Sequence, residues 1–133
     1  MAIQFSTTVR NARLDAIETA VGVSAVLKIR TGAAPANVGT ADSGTVLATI
    51  TCPSDWLAAA SGGSKVLSGT WQDASADNSG TAAHFRLYAS DGTTAHMQGT
   101  VGTSGTDMIV DSVTFTAGQV FNITAFTITD GNA

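Results

Sequence analysis

Apolar and polar residues alternate with period two along much of this chain, most clearly over residues 82–101. Phe85, Leu87 and Ala89 share one face of the first run, and His84, Arg86 and Tyr88 share the other. In the second run Ala95, Met97 and Gly99 alternate with His96, Gln98 and Thr100. Period two is the strand signal, and Asp91-Gly92 between two such runs predicts a hairpin. A two-residue loop would pair Leu87 with His96 and mix the faces. A three-residue loop, Ser90-Asp91-Gly92 with Gly92 left-handed, pairs Phe85 with Met97 and Leu87 with Ala95. A slip of one residue moves every side chain to the other face, so the three-residue loop is expected. It leaves His84, Arg86, Tyr88, His96 and Gln98 together on the outer face.

The other elements are read the same way. Residues 6–21 predict the one helix, capped by Ser6, Thr7 or Thr8 and stopped by Gly22. Val9, Ala12, Ala16 and Ala20 form one stripe; Leu14, Ile17 and Val21 form a bulkier neighbour. Arg10 and Arg13 lie early and Asp15 and Glu18 late, which opposes the helix dipole, so burial of the apolar stripe, against the sheet or against another chain, must stabilise it. Strands are expected over 24–30, 45–52 and 65–72. Thr31 to Gly44 is loop, and Pro53 ends the second strand. Residues 54–60 read as one or two helical turns capped by Ser54. After the hairpin come a Gly-Thr loop (102–107) and strands over 108–115 and 119–129. The last strand carries apolar residues on both faces and is expected to be covered on both. The sum is a single all-β domain over 1–133: a jelly-roll-like antiparallel β-sandwich over 24–129 with one N-terminal α-helix.

Composition narrows the function. Charged residues are 12% of the chain and net charge is −4, with no basic run, so a nucleic-acid partner is not expected. No apolar run reaches the roughly 20 residues of a membrane span. Met1 to Phe5 lacks the start of a signal peptide, which points to synthesis in a cytosol without export by that route. The single cysteine, Cys52, allows no internal disulfide and no cysteine-based metal cluster.

Candidate chemistry is sparse. His84 and His96 share the outer hairpin face, but their spacing is diagonal and Arg86 would repel a cation, so no metal is expected. Asp73, Asp77 and Asn78 resemble a fragment of a calcium loop without its closing Glu, and read as turn chemistry. Cys52 on an apolar strand face reads as a buried thiol. Residues 99–105 are glycine-rich, yet no Lys follows, so no phosphate loop is expected. Trp56, Trp71 and Tyr88 could stack on sugar rings; the preferred reading places both tryptophans in the core or in an inter-subunit seam. No acid, base and nucleophile set can be assembled, so no enzyme and no cofactor are expected.

Several segments carry a resemblance: S-T-T-V-R-N-A-R-L-D-A-I-E-T-A-V-G (Ser6 to Gly22), L-K-I-R-T-G (Leu27 to Gly32), G-T-W-Q-D (Gly69 to Asp73), H-F-R-L-Y (His84 to Tyr88) and F-T-I-T-D-G-N-A (Phe126 to Ala133). In these the chain resembles a family of small structural proteins of tailed bacteriophages, of the head decoration or cement type. The resemblance implies a β-sandwich plug on the outer capsid lattice, made in the bacterial host cytoplasm. It also implies a homo-oligomer, trimer first, whose partners are its own copies and the major capsid protein. No functional residue transfers individually. The residues proposed for contact are Arg10, Arg13, Leu14, Ile17, Trp56, Leu57, Arg86, Tyr88 and His96. The alternative is a tail or fibre module recognising host-surface carbohydrate.

Overall fold

The computed structural model describes residues 3–131. Helix α1 spans Thr7–Val21, with the Ser6 hydroxyl accepting from Val9 N at 3.3 Å and Gly22 closing its end at φ 93°. Strands follow as β1 (Val26–Arg30), β2 (Val46–Thr51), β3 (Ser64–Val66), β4 (Trp71–Asp73), β5 (Gly80–Thr81) and β6 (His84–Tyr88). The chain then continues through β7 (Ala95–Gly102), β8 (Met108–Ile109), β9 (Thr114–Phe115), β10 (Phe121–Ile123) and β11 (Thr127–Thr129). The fold is mostly β with this single helix, sandwich-like and rich in antiparallel pairs.

One layer is a five-stranded sheet in the order β2-β1-β6-β7-β8. Its pairs are antiparallel except β7 with β8, where Val101 and Met108 pair in parallel after a short loop. The other layer is one long interrupted ladder. β4 pairs with β10, β3 pairs with β11, and Leu67 N donates to Phe126 O between them. The pairs Trp71–Ile123 and Lys65–Ile128 both point inward, and between them one arm has one residue more (66–70) than the other (124–127). That mismatch shifts the inward set from Phe121 and Ile123 to Phe126 and Ile128. It explains why the segment reads apolar on both faces, while Val120, Asn122 and Thr124 are exposed. The expectation of a strand covered on both sides is corrected accordingly.

Aromatic rings tie the layers together. Phe85 from β6 meets Phe126 edge-on at 5.7 Å, Phe126 meets Trp71 at 5.7 Å, and Trp71 meets Trp56 at 6.1 Å. Such contacts contribute about 0.5–1.5 kcal/mol each beyond buried area. The open edge of β2 is blunted by side chains, as sheet edges must be. Asp73 Oδ2 accepts from Thr49 N at 2.9 Å, and Asn78 Nδ2 donates to Val46 O at 2.9 Å.

The hairpin exists, in a register offset by two residues from the expected one. Leu87 faces Met97 and Phe85 faces Gly99, so the faces are those predicted. Beyond Leu87 the pairing shifts to Tyr88 with Ala95, which leaves His96 as a bulge. The connection is longer than expected because Asp91 builds its own turn, accepting from Thr93 N and Thr94 N at 2.9 Å each. Gly92 is left-handed there, at φ 70°. Opposite Phe85, residue 99 must be glycine: a Cβ would lie 2.7 Å from the Phe85 ring.

The segment 54–60 is not helical. It runs extended, Leu57 bridging to Leu67, with Trp56 Nε1 donating to Gly22 O at 2.9 Å. The indole thereby caps the C-terminal end of α1, while the backbone of the segment hydrogen-bonds to carboxylates of the helix.

Candidate functional site

Two polar assemblies hold all six Lys and Arg side chains together with Asp15, Glu18, Asp42 and Asp130. The first lies under residues 31–45, which leave β1, fold back over the sheet as a strap, and return into β2. Loops of this length without secondary structure are uncommon in small domains. This one is held by the face that the sequence pattern leaves outside. Asp42 is the clasp. Its carboxylate accepts from Arg86 Nη1 at 2.6 Å, from the Tyr88 hydroxyl at 2.7 Å and from Arg30 Nη2 at 2.8 Å. Arg30 also donates to the Tyr88 hydroxyl at 3.2 Å.

Strap carbonyls take further donors, while Arg30 Nε and Arg86 Nε are buried without a hydrogen-bond partner. Arg86 donates to Thr40 O and Val38 O, Gln98 Nε2 to Pro35 O at 2.8 Å, and His84 Nδ1 to Gly32 O at 2.7 Å. Because the carbonyl can only accept, Nδ1 of His84 carries the proton. Lys28 reaches Gly92 O at 3.0 Å and lies 5.0 Å over the Tyr88 ring. Burial raises the Asp42 carboxyl, but the Tyr88 hydrogen bond and the charges of Arg30 and Arg86 outweigh it, leaving it below its ordinary range. Burial and the Asp42 hydrogen bond push the Tyr88 hydroxyl up.

The second assembly latches α1. Asn11, Asp15 and Glu18 lie along one helix face and accept the backbone N–H groups of Gly63, Ala60 and Leu57 at 2.9, 3.0 and 3.2 Å. The helix and the extended segment run antiparallel, so the spacings match. Lys65, 2% exposed, sits beneath and pairs with Asp15 at 2.7 Å and Glu18 at 3.0 Å. The Lys65 hydrogen bond holds the Asp15 carboxyl below its ordinary range. Burial lowers the Lys65 ammonium, and the two carboxylates more than reverse that. At the other flank Arg10 Nε donates to Asp130 O at 2.7 Å, and Arg13 pairs with the Asp130 carboxylate at 3.2 Å.

These contacts correct several sequence expectations. Of the residues proposed for contact, Leu14, Trp56, Leu57, Arg86 and Tyr88 are buried within the chain. Leu14, Trp56 and Leu57 are core, because α1 and the 54–60 segment close over one another. Arg86 and Tyr88 are covered by the strap, together with His84, so the hairpin's outer face is interior. Arg10 and Ile17 are half-buried. Arg13 and His96 remain exposed. The helix stripe Val9, Ala12, Ala16 and Ala20 is not buried against the sheet, the first of the two expected covers, and faces outward from the chain. Leu14 and Val21 are the helix residues that are buried. Cys52 is buried as expected, and burial pushes its thiol up to about 12.

The strap's role was hidden because pattern analysis assigns faces to strands, not covers to faces. One signal pointed toward it: a long loop carrying a single acid, leaving the strand that ends in Arg30, in a chain whose hairpin strand puts Arg86 and Tyr88 on one face.

Among the described residues no helix is long and apolar enough to cross a membrane, and no group of three His, Cys, Asp or Glu is placed to hold a metal. Comparison with protein-family models, with curated proteins and with solved structures returned no match.

Proposed function

We propose that this chain is a non-enzymatic virion structural protein of a tailed bacteriophage, a head decoration or cement protein bound to the outer face of the major capsid protein lattice. The reading starts from the resemblance of the segments quoted above. The structural observation that carries it is where the charged side chains go. Arg30, Asp42, Arg86, Asp15, Glu18 and Lys65 clamp a loop and a helix onto the sheet. A cement protein needs this: a rigid body whose surface supplies contact area, repeated over many copies. In this reading the two layers are a jelly-roll-like sandwich, the chain works as a homo-oligomer with a trimer as the first arrangement, and it is made in the bacterial cytoplasm.

The test is to strip the protein from assembled heads and follow their survival on heating and at low ionic strength. Stripped heads should rupture earlier, and re-added protein should restore them. Unchanged survival refutes cementing. The carbohydrate-binding alternative relied on Trp56, Trp71 or Tyr88 at an open groove. All three are buried, so a sugar site would have to use other residues.

A further inference from the structure

The sheet edges of this fold are treated unequally. The open edge of β2 is blunted by Asp73 and Asn78, and β7 is blunted at Thr100, whose N–H donates to Asp107 Oδ2 at 2.8 Å. β11 has no such guard. Its ladder with β3 runs through Leu67 N to Phe126 O, the pair Lys65–Ile128, and Asp130 N to Gly63 O. Successive residues of an antiparallel strand turn their main-chain groups to opposite sides, so the N–H and C=O of Thr127 and Thr129 point away from β3. Among the described residues these groups meet no main-chain partner. No lysine or proline stands on this edge, although exposed edges ordinarily carry such a device.

Two cavities open along it. The first, about 430 Å³, has apolar walls from Phe85, Met97, Phe126 and Ile128; the second, about 350 Å³, from Leu14, Ile17 and Ile128. Neither is lined by a β3 residue, which places both on the unpaired side. The first follows β11 from Phe126 to Thr129 and the second from Ile128 to Asp130, a stagger of about two residues or roughly 7 Å. An added strand with alternate apolar side chains fits such an edge, its main chain pairing and its side chains filling successive holes.

The chain carries such a segment. Ile3, Gln4 and Phe5 alternate apolar and polar, lie outside any helix or strand, and lead into Ser6 in extended conformation. Ile3 is 78% and Phe5 42% exposed. The segment is rooted at the rim of the groove: the Arg13 guanidinium lies 5.0 Å from the Phe5 ring centre, and Arg13 lines the second cavity. We infer that residues 3–5 of one copy add as a strand to the free edge of β11 in a second copy. Ile3 and Phe5 fill the two cavities, and Gln4 faces out beside Thr127 or Thr129. Each copy gives one segment and offers one groove, a heterologous contact of the kind that closes into rings. The inference rests on the homo-oligomer part of the proposed function and not on its capsid part.

Cysteine pairs test it, since the native Cys52 is buried and stays silent. Facing residues on paired strands lie about 5 Å apart, within the reach of a disulfide. Chains carrying Gln4→Cys with Thr127→Cys, or Gln4→Cys with Thr129→Cys, are oxidised mildly at about 1 mM protein. One of the two pairs should give covalent dimers and trimers, while each single substitution stays unlinked. A monomer whose two thiols have joined each other overturns the inference, because the segment then fills its own groove. Thiols that stay free in both pairs, or single substitutions that link as readily, overturn it too. Sedimentation separates this from the wider reading. The unmodified chain should grow toward a trimer as concentration rises. Ile3→Ser combined with Phe5→Ser should leave a monomer with an unchanged melting temperature. A trimer that survives those substitutions overturns the exchange and leaves the homo-oligomer standing. A chain that stays monomeric up to about 1 mM overturns both.

Discussion

Replacing Asp42 with Asn removes the clasp's charge while nearly preserving its shape. In the parent, one carboxylate takes three contacts of 2.6–2.8 Å from Arg86, Tyr88 and Arg30. Arg86 and Arg30 have side chains only 1% and 8% exposed, so both guanidiniums would be left in a covered layer without a counter-charge. Breaking a fully buried ion pair costs about 3–5 kcal/mol. The Asp42 side chain is 39% exposed, and the strap can lift to let water reach the arginines, so screening reduces the cost. A loss of about 2–3 kcal/mol follows, or roughly 8–10 °C in melting temperature for a chain of this size. Urea unfolding followed by fluorescence of the buried Trp56 and Trp71 measures it, as a midpoint lower by about 1–2 M. Limited proteolysis should find new cleavage within 31–45. The carboxyl sits below its ordinary value of 3.8, so its contribution is fully present above that pH and fades as pH falls through the folded value. Asp42→Asn should flatten that acid limb. A shift of less than about 0.5 kcal/mol with the acid limb intact would refute the view that this carboxylate holds the strap.

Lys65→Met should weaken the α1 latch, leaving Asp15 and Glu18 with only their backbone donors, at a cost of about 1–3 kcal/mol in urea unfolding. In the parent the Lys65 ammonium is raised above its ordinary value of 10.5, so its contribution is complete below that pH and lost as pH rises through the folded value; Lys65→Met should lack this alkaline limb. Gly99→Ala places a Cβ 2.7 Å from the Phe85 ring and 2.9 Å from Asp107 Oδ2, and should cost about 1–3 kcal/mol by overpacking, read as a lower thermal midpoint.

Period-two alternation identified the hairpin at 84–102, because apolar and polar residues sort strictly to opposite faces there and a slip of one residue would invert every side chain. It did not identify the register, because an offset of two residues keeps the faces and is decided by Asp91 turn chemistry and the His96 bulge. The helix limits were legible from Ser6 and Gly22, since caps are local. Which helix face would be buried was not legible. The pattern favoured Val9, Ala12, Ala16 and Ala20, whereas the latch uses polar Asn11, Asp15 and Glu18, and their partners lie some forty to fifty residues away.

By itself the sequence determined what acts locally: strand periods, helix ends, turn positions, a thiol on an apolar face, and a β-rich chain with one helix. Tertiary structure alone decided what covers what. The strap turned an apparent surface of Arg86, Tyr88 and His84 into a buried polar layer, and the latch turned an apparent core stripe of α1 outward. The reason is physical. Alternation records which residues share a face, but whether that face meets water depends on segments distant in the chain. A charged side chain can be buried wherever such a segment brings the opposite charge and the carbonyls it needs.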